Sequence, residues 1–292
     1  MRDRDPFLGF EVPRPSPAGG LPAEGTGLCA RVVALTDIGK KRKNNEDNYI
    51  VMPLDGNVLD KGADGLIFSL EGPGLLLAVA DGMGGHQSGE VASRLCVENV
   101  GEKLIDSLAE SPSQDMTSIL RNVAEDAHRE IYEASLNDEA LHGMGCTLTA
   151  AVLGRRAATL AQVGDSRAYL FRKGRLLLLT EDQTVGNLLR ASDELVAAGD
   201  RVNDILTQAM GAQLNVSVVM SSQALEPYDQ FLICCDGLYK AVADEEIARI
   251  LGDEAPLRAR AEALIEHANE NGGPDNITVV TAEIRPLAGQ TK

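Results

Sequence analysis

Cysteine is sparse in this 292-residue chain and is never spaced as CxxC. Cys29, Cys96, Cys146, Cys234 and Cys235 make an odd set of five, which suits a reducing compartment better than a disulfide framework. Histidine is rarer still: His86, His128, His142 and His267 stand apart, so the nitrogen ligands of a zinc site do not cluster. No apolar stretch approaches the roughly 20 residues that cross a bilayer, and the opening "MRDRDPFLGFEVPRP" has no apolar core of the kind a secretion signal needs. The expectation is a soluble, unprocessed cytoplasmic protein with no membrane insertion. Positive charge is short as well, 27 basic residues against 44 acidic ones for a formal net charge of −17. Nucleic acid and anionic membrane surfaces are poor partners for such a chain, and divalent cations are plausible ones.

Internal repeats and low-complexity linkers are also missing, so nothing marks a second domain boundary. Residues 1–27 carry Pro6, Pro13, Pro15, Pro17 and Pro22 among glycines and charges, a composition that disfavours helix and sheet pairing, and read as an arm. One domain over 28–286 and a tail over 287–292 follow. Strands are predicted at "CARVVAL", "GLIFSL", "LLLAVA", "CTLTAAVL", "ATLAQV", "RAYLF", "LLLLT", "QFLICC" and "ITVVTAEI", most of them apolar or β-branched and bounded by Gly, Asp or Pro. Helical spacing of apolar residues predicts helices over 88–109 and 115–135, with shorter ones over 244–251 and 256–270. Paired helices between runs of strands, without strict βαβ alternation, predict a layered α+β architecture with largely antiparallel sheets.

Acidic residues stand where these apolar strands end. "LLLAVADG" ends in Asp81, "FLICCDGL" in Asp236, "AQVGDSRAY" carries Asp165, "GGPDNITVV" starts a strand with Asp275, and "NNEDNY" places Glu46 and Asp47 beside an apolar segment. The strand–glycine turn–helix pattern of "LLLAVADGMGGHQSGE" is also how phosphate-binding loops begin. A carboxylate at its head would repel a bare phosphate, unless its charge is merely solvated or a cation stands between them. Any one of these acids is accounted for as a turn or a cap. Together in one crevice they would raise one another's pKa values and oppose folding, and a hard cation such as Mg²⁺, Mn²⁺ or Ca²⁺ relieves that. Gly82 and Gly237 follow two of the acids and allow a carbonyl to turn toward the same ligand.

In order along the chain, "RKNNEDNY", "VADGMGGHQSGEVAS", "GMGCTLTAAVL", "VGDSRAYLF", "LTEDQT", "LTQAMG", "FLICCDGL" and "GGPDNITVV" resemble the motifs of the metal-dependent PPM-family (type 2C) serine/threonine protein phosphatases of bacterial type. The resemblance covers nearly everything from 28 to 284. It implies a four-layer αββα sandwich, two mainly antiparallel sheets flanked by helix pairs, with metals in a cleft at one end of the sheets. It further implies hydrolysis of phosphoserine and phosphothreonine on proteins with Mn²⁺ or Mg²⁺, two ions bound tightly and a third more weakly. By the resemblance, Asp81 bridges the pair, Asp236 and Asp275 with Glu46 complete one ion, the Gly82 carbonyl serves the other, and Asp47 orients the bridging water. Asp165 with Asp236 holds the third ion, Arg42 grips the phosphate, and His86 is the candidate general acid for the leaving oxygen. Partners are then phosphoproteins, those of a cognate Ser/Thr kinase, acted on by a monomer.

The sequence departs from that family pattern at Cys146 and Cys235, where a hydroxyl residue is often found, and at Gln183 and Thr184, with every proposed metal ligand intact. Cys235 reads as a small buried side chain beside a strand end. Residues 184–206 fall where the family carries a variable flap and show no target code. The alternative function is a catalytically silent phosphoprotein-binding scaffold of the same fold, which has no reason to gather so many carboxylates. A dinucleotide oxidoreductase fails, because "GMGGHQSG" lacks the third glycine of GxGxxG.

Overall fold

A computed structural model of the chain describes residues 27–83, 88–111, 114–191 and 204–287. Within these, the first half supplies strands β1 (Leu28–Asp37), β2 (Asp47–Pro53), β3 (Asp60–Gly62), β4 (Gly65–Ser69) and β5 (Leu75–Met83), then helices α1 (Ser88–Glu110) and α2 (Met116–Asn137). There follow β6 (Gly145–Cys146), β7 (Leu148–Leu153), β8 (Ala157–Val163), β9 (Arg167–Arg172), β10 (Arg175–Leu178), α3 (Val185–Ala191) and β11 (Val219–Ala224). The chain closes with β12 (Gln230–Cys234), α4 (Asp236–Tyr239), α5 (Asp244–Leu251), α6 (Leu257–Glu270) and β13 (Ile277–Pro286).

These strands form two sheets whose pairings are antiparallel, one in the order β10-β9-β12-β13-β1-β4-β3 and the other β11-β8-β7-β5-β2, with β6 extending the end of β5. The unbroken apolar run "LLLAVA" is explained by burial on both faces of a strand whose side chains alternate. Leu75, Leu77 and Val79 point between the two sheets and pack with Phe68, Leu170, Phe231 and Ile233. Leu76, Ala78 and Ala80 lie under α1 and α2, against Cys96, Val100, Leu120 and Val123. On the far side α5 and α6 cover the other sheet through Ile247, Leu251, Leu257 and Leu264 packed on Val33, Leu232 and Val279. The order helix pair, sheet, sheet, helix pair is the four-layer arrangement that the sequence reading expects. Among the described residues no helix is long and apolar enough to cross a membrane.

Helix ends follow their local chemistry. Asp115 caps α2 by accepting from the Ser118 N–H at 3.1 Å and its hydroxyl at 2.6 Å. Strand β11, "VMSSQA", has no apolar face to announce it; it is a largely exposed edge strand held by β8. β2 escapes the periodicity test for the opposite reason, being short and buried along most of its length. The first 26 residues, the expected arm, lie outside the described residues, as does most of the expected tail.

Candidate metal centre

Two neighbouring strands supply the middle of the cleft. β2 and β5 run antiparallel with Asp47 opposite Asp81, and one oxygen of each lies within 4.8 Å of the other and of Cys235 Sγ. β12 ends at Cys234 and the chain turns at once into α4, whose first residue is Asp236. Asp275 stands just ahead of β13, and Asp165 sits in the short link between β8 and β9. Every acid named from the sequence is thus carried by the end of a buried strand or the turn beside it, a rigid mount.

Backbone approach at these turns leaves no space for a side chain. A Cβ on Gly82 would strike the Gly89 carbonyl and lie 2.6 Å from that of Glu46, and one on Gly237 would strike the carbonyl of Asn276. Gly82 N–H donates to the Glu46 carbonyl at 3.1 Å, and Ser93 Oγ donates to that same carbonyl at 2.5 Å, tying β5, α1 and the Glu46 turn together. Asn276 does comparable work on the other side. Its Oδ1 accepts from Glu46 N–H at 2.9 Å, while its Nδ2 donates to the carbonyls of Ile38 at 3.0 Å and Asn44 at 2.9 Å. A relay sets the orientation of Asp47: Asn45 Nδ2 donates to Thr36 Oγ1 at 2.8 Å, Thr36 lies 2.7 Å from Thr278 Oγ1, and Thr278 donates to Asp47 Oδ2 at 2.6 Å.

Electrostatics show what the frame restrains. Burial, then the charges of Asp47, Asp236, Asp165 and Asp275, hold the Asp81 carboxyl well above the usual carboxylate range. Burial above all, with Asp236 and Asp275 adding to it, pushes Asp47 up to about 7. Asp165 is likewise pushed up to about 7 by burial and then by Asp236, with Lys240 pulling the other way. Among the described residues, Asp47 Oδ1 and Asp236 Oδ1 are buried oxygens with no hydrogen-bond partner. Unpartnered buried carboxylate oxygens are costly. A carboxylate-rich donor set with unmet demand for positive charge fits hard divalent cations such as Mn²⁺ or Mg²⁺. The neighbouring Cys235 offers no competing thiolate: burial holds its thiol well above the usual range, and it donates to the Asn276 carbonyl at 3.3 Å.

The chain supplies two cations of its own at the edges. Arg42 Nη2 donates to Asp275 Oδ2 at 2.6 Å, with its side chain 52% exposed. Beside it, a depression of about 150 Å³ is lined by Arg42, Lys43, Asn44, Glu46 and Asn276. Lys240 Nζ donates to Asp236 Oδ2 at 2.7 Å and lies 4.0 Å from Asp165 Oδ2. Lys240 is a neighbour that the sequence reading does not name: α4 brings it one helical turn past Asp236 and toward Asp165. The sequence signal was the i, i+4 spacing of acid and base in "DGLYK". Asn276 and Thr278 are likewise not named in the sequence reading, although they stand one and three positions after Asp275. His86 lies outside the described residues, as do residues 192–203 of the expected flap.

The family model described as protein phosphatase 2C matches residues 62–278. The serine/threonine phosphatase Stp of Listeria monocytogenes is 33% identical over 253 residues, covering 85% of this chain and 93% of its own. Among solved structures, the serine/threonine phosphatase PstP/Ppp of Mycobacterium tuberculosis superimposes with a TM-score of 0.69 at 31% identity, covering 88% of this chain and 99% of that one. A PstP catalytic domain in complex with two manganese ions gives a TM-score of 0.71 at 32% identity with the same coverage.

Proposed function

The chain belongs to the protein phosphatase 2C family, and on that premise we propose that it hydrolyses phosphoserine and phosphothreonine on proteins at a pair of Mn²⁺ or Mg²⁺ ions. Asp81 would be shared by the pair, Asp236 and Asp275, with Glu46 reaching through water, would hold one ion, and the Gly82 carbonyl would serve the other. Asp165, with Asp236, belongs to a third and weaker position. When bound, such a pair supplies Lewis acidity and lowers the pKa of water between the ions, which makes a nucleophile available at neutral pH.

The chain's own residues do the remaining work. Thr278 fixes one oxygen of Asp47, leaving Oδ1 to accept from and orient the attacking water. Arg42 borders the open depression and receives the phosphate there through charge-assisted hydrogen bonds. His86 is the candidate proton donor to the leaving serine or threonine oxygen, a task suited to a group that titrates near neutrality. The activity opposes that of Ser/Thr kinases, and the protein acts as a monomer. The five cysteines are all free and buried, which supports a cytoplasmic setting.

One observation carries the reading: Asp47 and Asp81 face each other where β2 meets β5, and Asp47 Oδ1 and Asp236 Oδ1 are buried there without a hydrogen-bond partner among the described residues. The test is phosphate release from a phosphothreonine peptide with Mn²⁺ and with EDTA. Release that depends on Mn²⁺ is expected; an equal rate in EDTA, or no release at any Mn²⁺ concentration, would overturn it.

A further inference from the structure

Lys240 caps the C-terminus of α4, and its ammonium group faces three carboxylates from three segments of chain. It donates to Asp236 Oδ2 at 2.7 Å and lies 4.0 Å from Asp165 Oδ2 and 3.8 Å from Asp204 Oδ1. Two of the three acids are sheltered, with side chains 7% exposed for Asp165 and 17% for Asp236, whereas Asp204 is 61% exposed at the rim. Contacts that do not involve the lysine keep the turn and the helix in register. Tyr239 Oη donates to the Asp165 carbonyl at 3.1 Å, and Arg167 lies 3.7 Å from the centre of the Tyr239 ring while pairing with both oxygens of Asp182 at 2.9 and 2.7 Å. The backbone segments that carry the carboxylate pair are therefore held together by contacts that do not need the cation between its members.

An ammonium group and a hydrated divalent ion make the same demand on such a pair, and they cannot meet it together. Repulsion between a single and a double positive charge a few Å apart exceeds thermal energy even in water. We propose that Lys240 is a tethered competitor for the outer metal position: it occupies the Asp165–Asp236 pair, and a third divalent ion enters only by displacing it. The inference rests on the metal reading of the centre, and it gives a reason internal to this chain for the third position to be weak. Displacement is eased by Asp204, which offers the swung-out ammonium a solvent-exposed partner. Lys240 acts here through the metal ligands and is a positioning residue, with no contact to the reacting atoms.

Calorimetric titration of MnCl2 into the metal-stripped full chain tests the proposal without reference to turnover. Wild type is compared with Lys240→Met, which keeps the apolar stem and removes the charge, and with Lys240→Arg, which keeps the charge. A tight phase of two ions is expected in all three. The weaker phase should tighten at least tenfold in Lys240→Met, stay near wild type in Lys240→Arg, and lose the gain in the double variant Asp165→Asn with Lys240→Met. Lys240→Gln repeats the measurement if Lys240→Met melts below the titration temperature. A weak phase unchanged in the charge-removing variants overturns the competition while leaving the metal pair intact; a wild type with no tight phase overturns the metal reading itself.

Discussion

Replacing Asp47 by Asn should make the metal-free protein more stable at pH 8. Burial, with the charges of Asp236 and Asp275, lifts this carboxyl from its ordinary 3.8 to about 7. Each pH unit of such a lift is worth about 1.4 kcal/mol, so the ionised group costs the folded state at most about 4 kcal/mol. The asparagine amide that replaces the carboxyl is itself a buried polar group, which offsets part of the gain, and about 2 kcal/mol is the working figure. The sign follows from an acid whose folded pKa lies above its unfolded one: the cost is complete above pH 7 and fades as pH falls from 7 toward 4. Asparagine can still accept from Thr278 through its amide oxygen. Urea denaturation in EDTA should thus show Asp47→Asn ahead of wild type by about 2 kcal/mol at pH 8, the gap shrinking steadily as pH falls from 7 toward 4. His128, whose pKa burial holds below its ordinary value, makes both proteins less stable as pH falls through about 6.5, but it is common to the two and cancels in the difference. Saturating Mn²⁺ should narrow the gap, since ions that bind only the folded state stabilise it by an amount set by the logarithm of their affinity, and the charge removed in Asp47→Asn lowers that affinity. Equal stability at pH 8, or a gap that widens on acidification, would refute the reasoning.

Asp81→Asn should retain under a tenth of the wild-type rate at saturating Mn²⁺ with an unchanged circular dichroism spectrum; a rate above that threshold would remove Asp81 from the shared-ligand role. Arg42→Ala should lower kcat/KM for a phosphopeptide by about 2–4 kcal/mol in transition-state terms without weakening Mn²⁺ binding, and unaltered kinetics on peptides and aryl phosphates alike would leave Arg42 as no more than a partner of Asp275. Asn276→Ala leaves the Glu46 N–H and the Ile38 and Asn44 carbonyls without their partner, so thermal or urea denaturation should show a loss of about 2–3 kcal/mol. Apparent Mn²⁺ affinity should fall with it, and a variant with wild-type stability and affinity would show that the loop holds itself.

Much of this was legible before any coordinates, and for a physical reason. Strands buried on both faces, such as Leu75–Met83, cannot hide their composition, and a carboxylate that ends such a strand breaks the pattern visibly. Asp81, Asp165 and Asp236 announced themselves in that way. Edge strand β11 did not, because exposure relaxes the alternation that would have marked it. The supporting residues were hidden for a different reason. Thr278 sits at a buried strand position where a β-branched residue needs no explanation, yet its hydroxyl is what orients Asp47. Asn276 is read as a turn residue until its amide is found bonded to three backbone groups. Lys240 carries no mark of its role in the sequence, since only the fold places Asp165, 75 positions earlier in the chain, 4.0 Å from it.

The uneven placement of tethered cations sets an order of events under the proposed reading. Among the described residues, Asp275 has Arg42 and Asp236 has Lys240, whereas neither Asp47 nor Asp81 forms an ion pair. The largest unmet demand for positive charge therefore lies at the β2–β5 junction, and the first divalent ions belong there. Their arrival changes the edges as well. An ion held by Asp275 would satisfy the carboxylate that Arg42 now engages, and a guanidinium 52% exposed could then turn into the adjoining depression. Phosphate would then meet an arginine free to bind it rather than one committed to an acid. Ordered loading follows: inorganic phosphate, followed by calorimetry, should bind measurably to the Mn²⁺-loaded chain and at least tenfold more weakly in EDTA. Arg42→Ala should lose most of that difference, and phosphate binding of equal strength with and without Mn²⁺ would show that Arg42 does not couple the two sites.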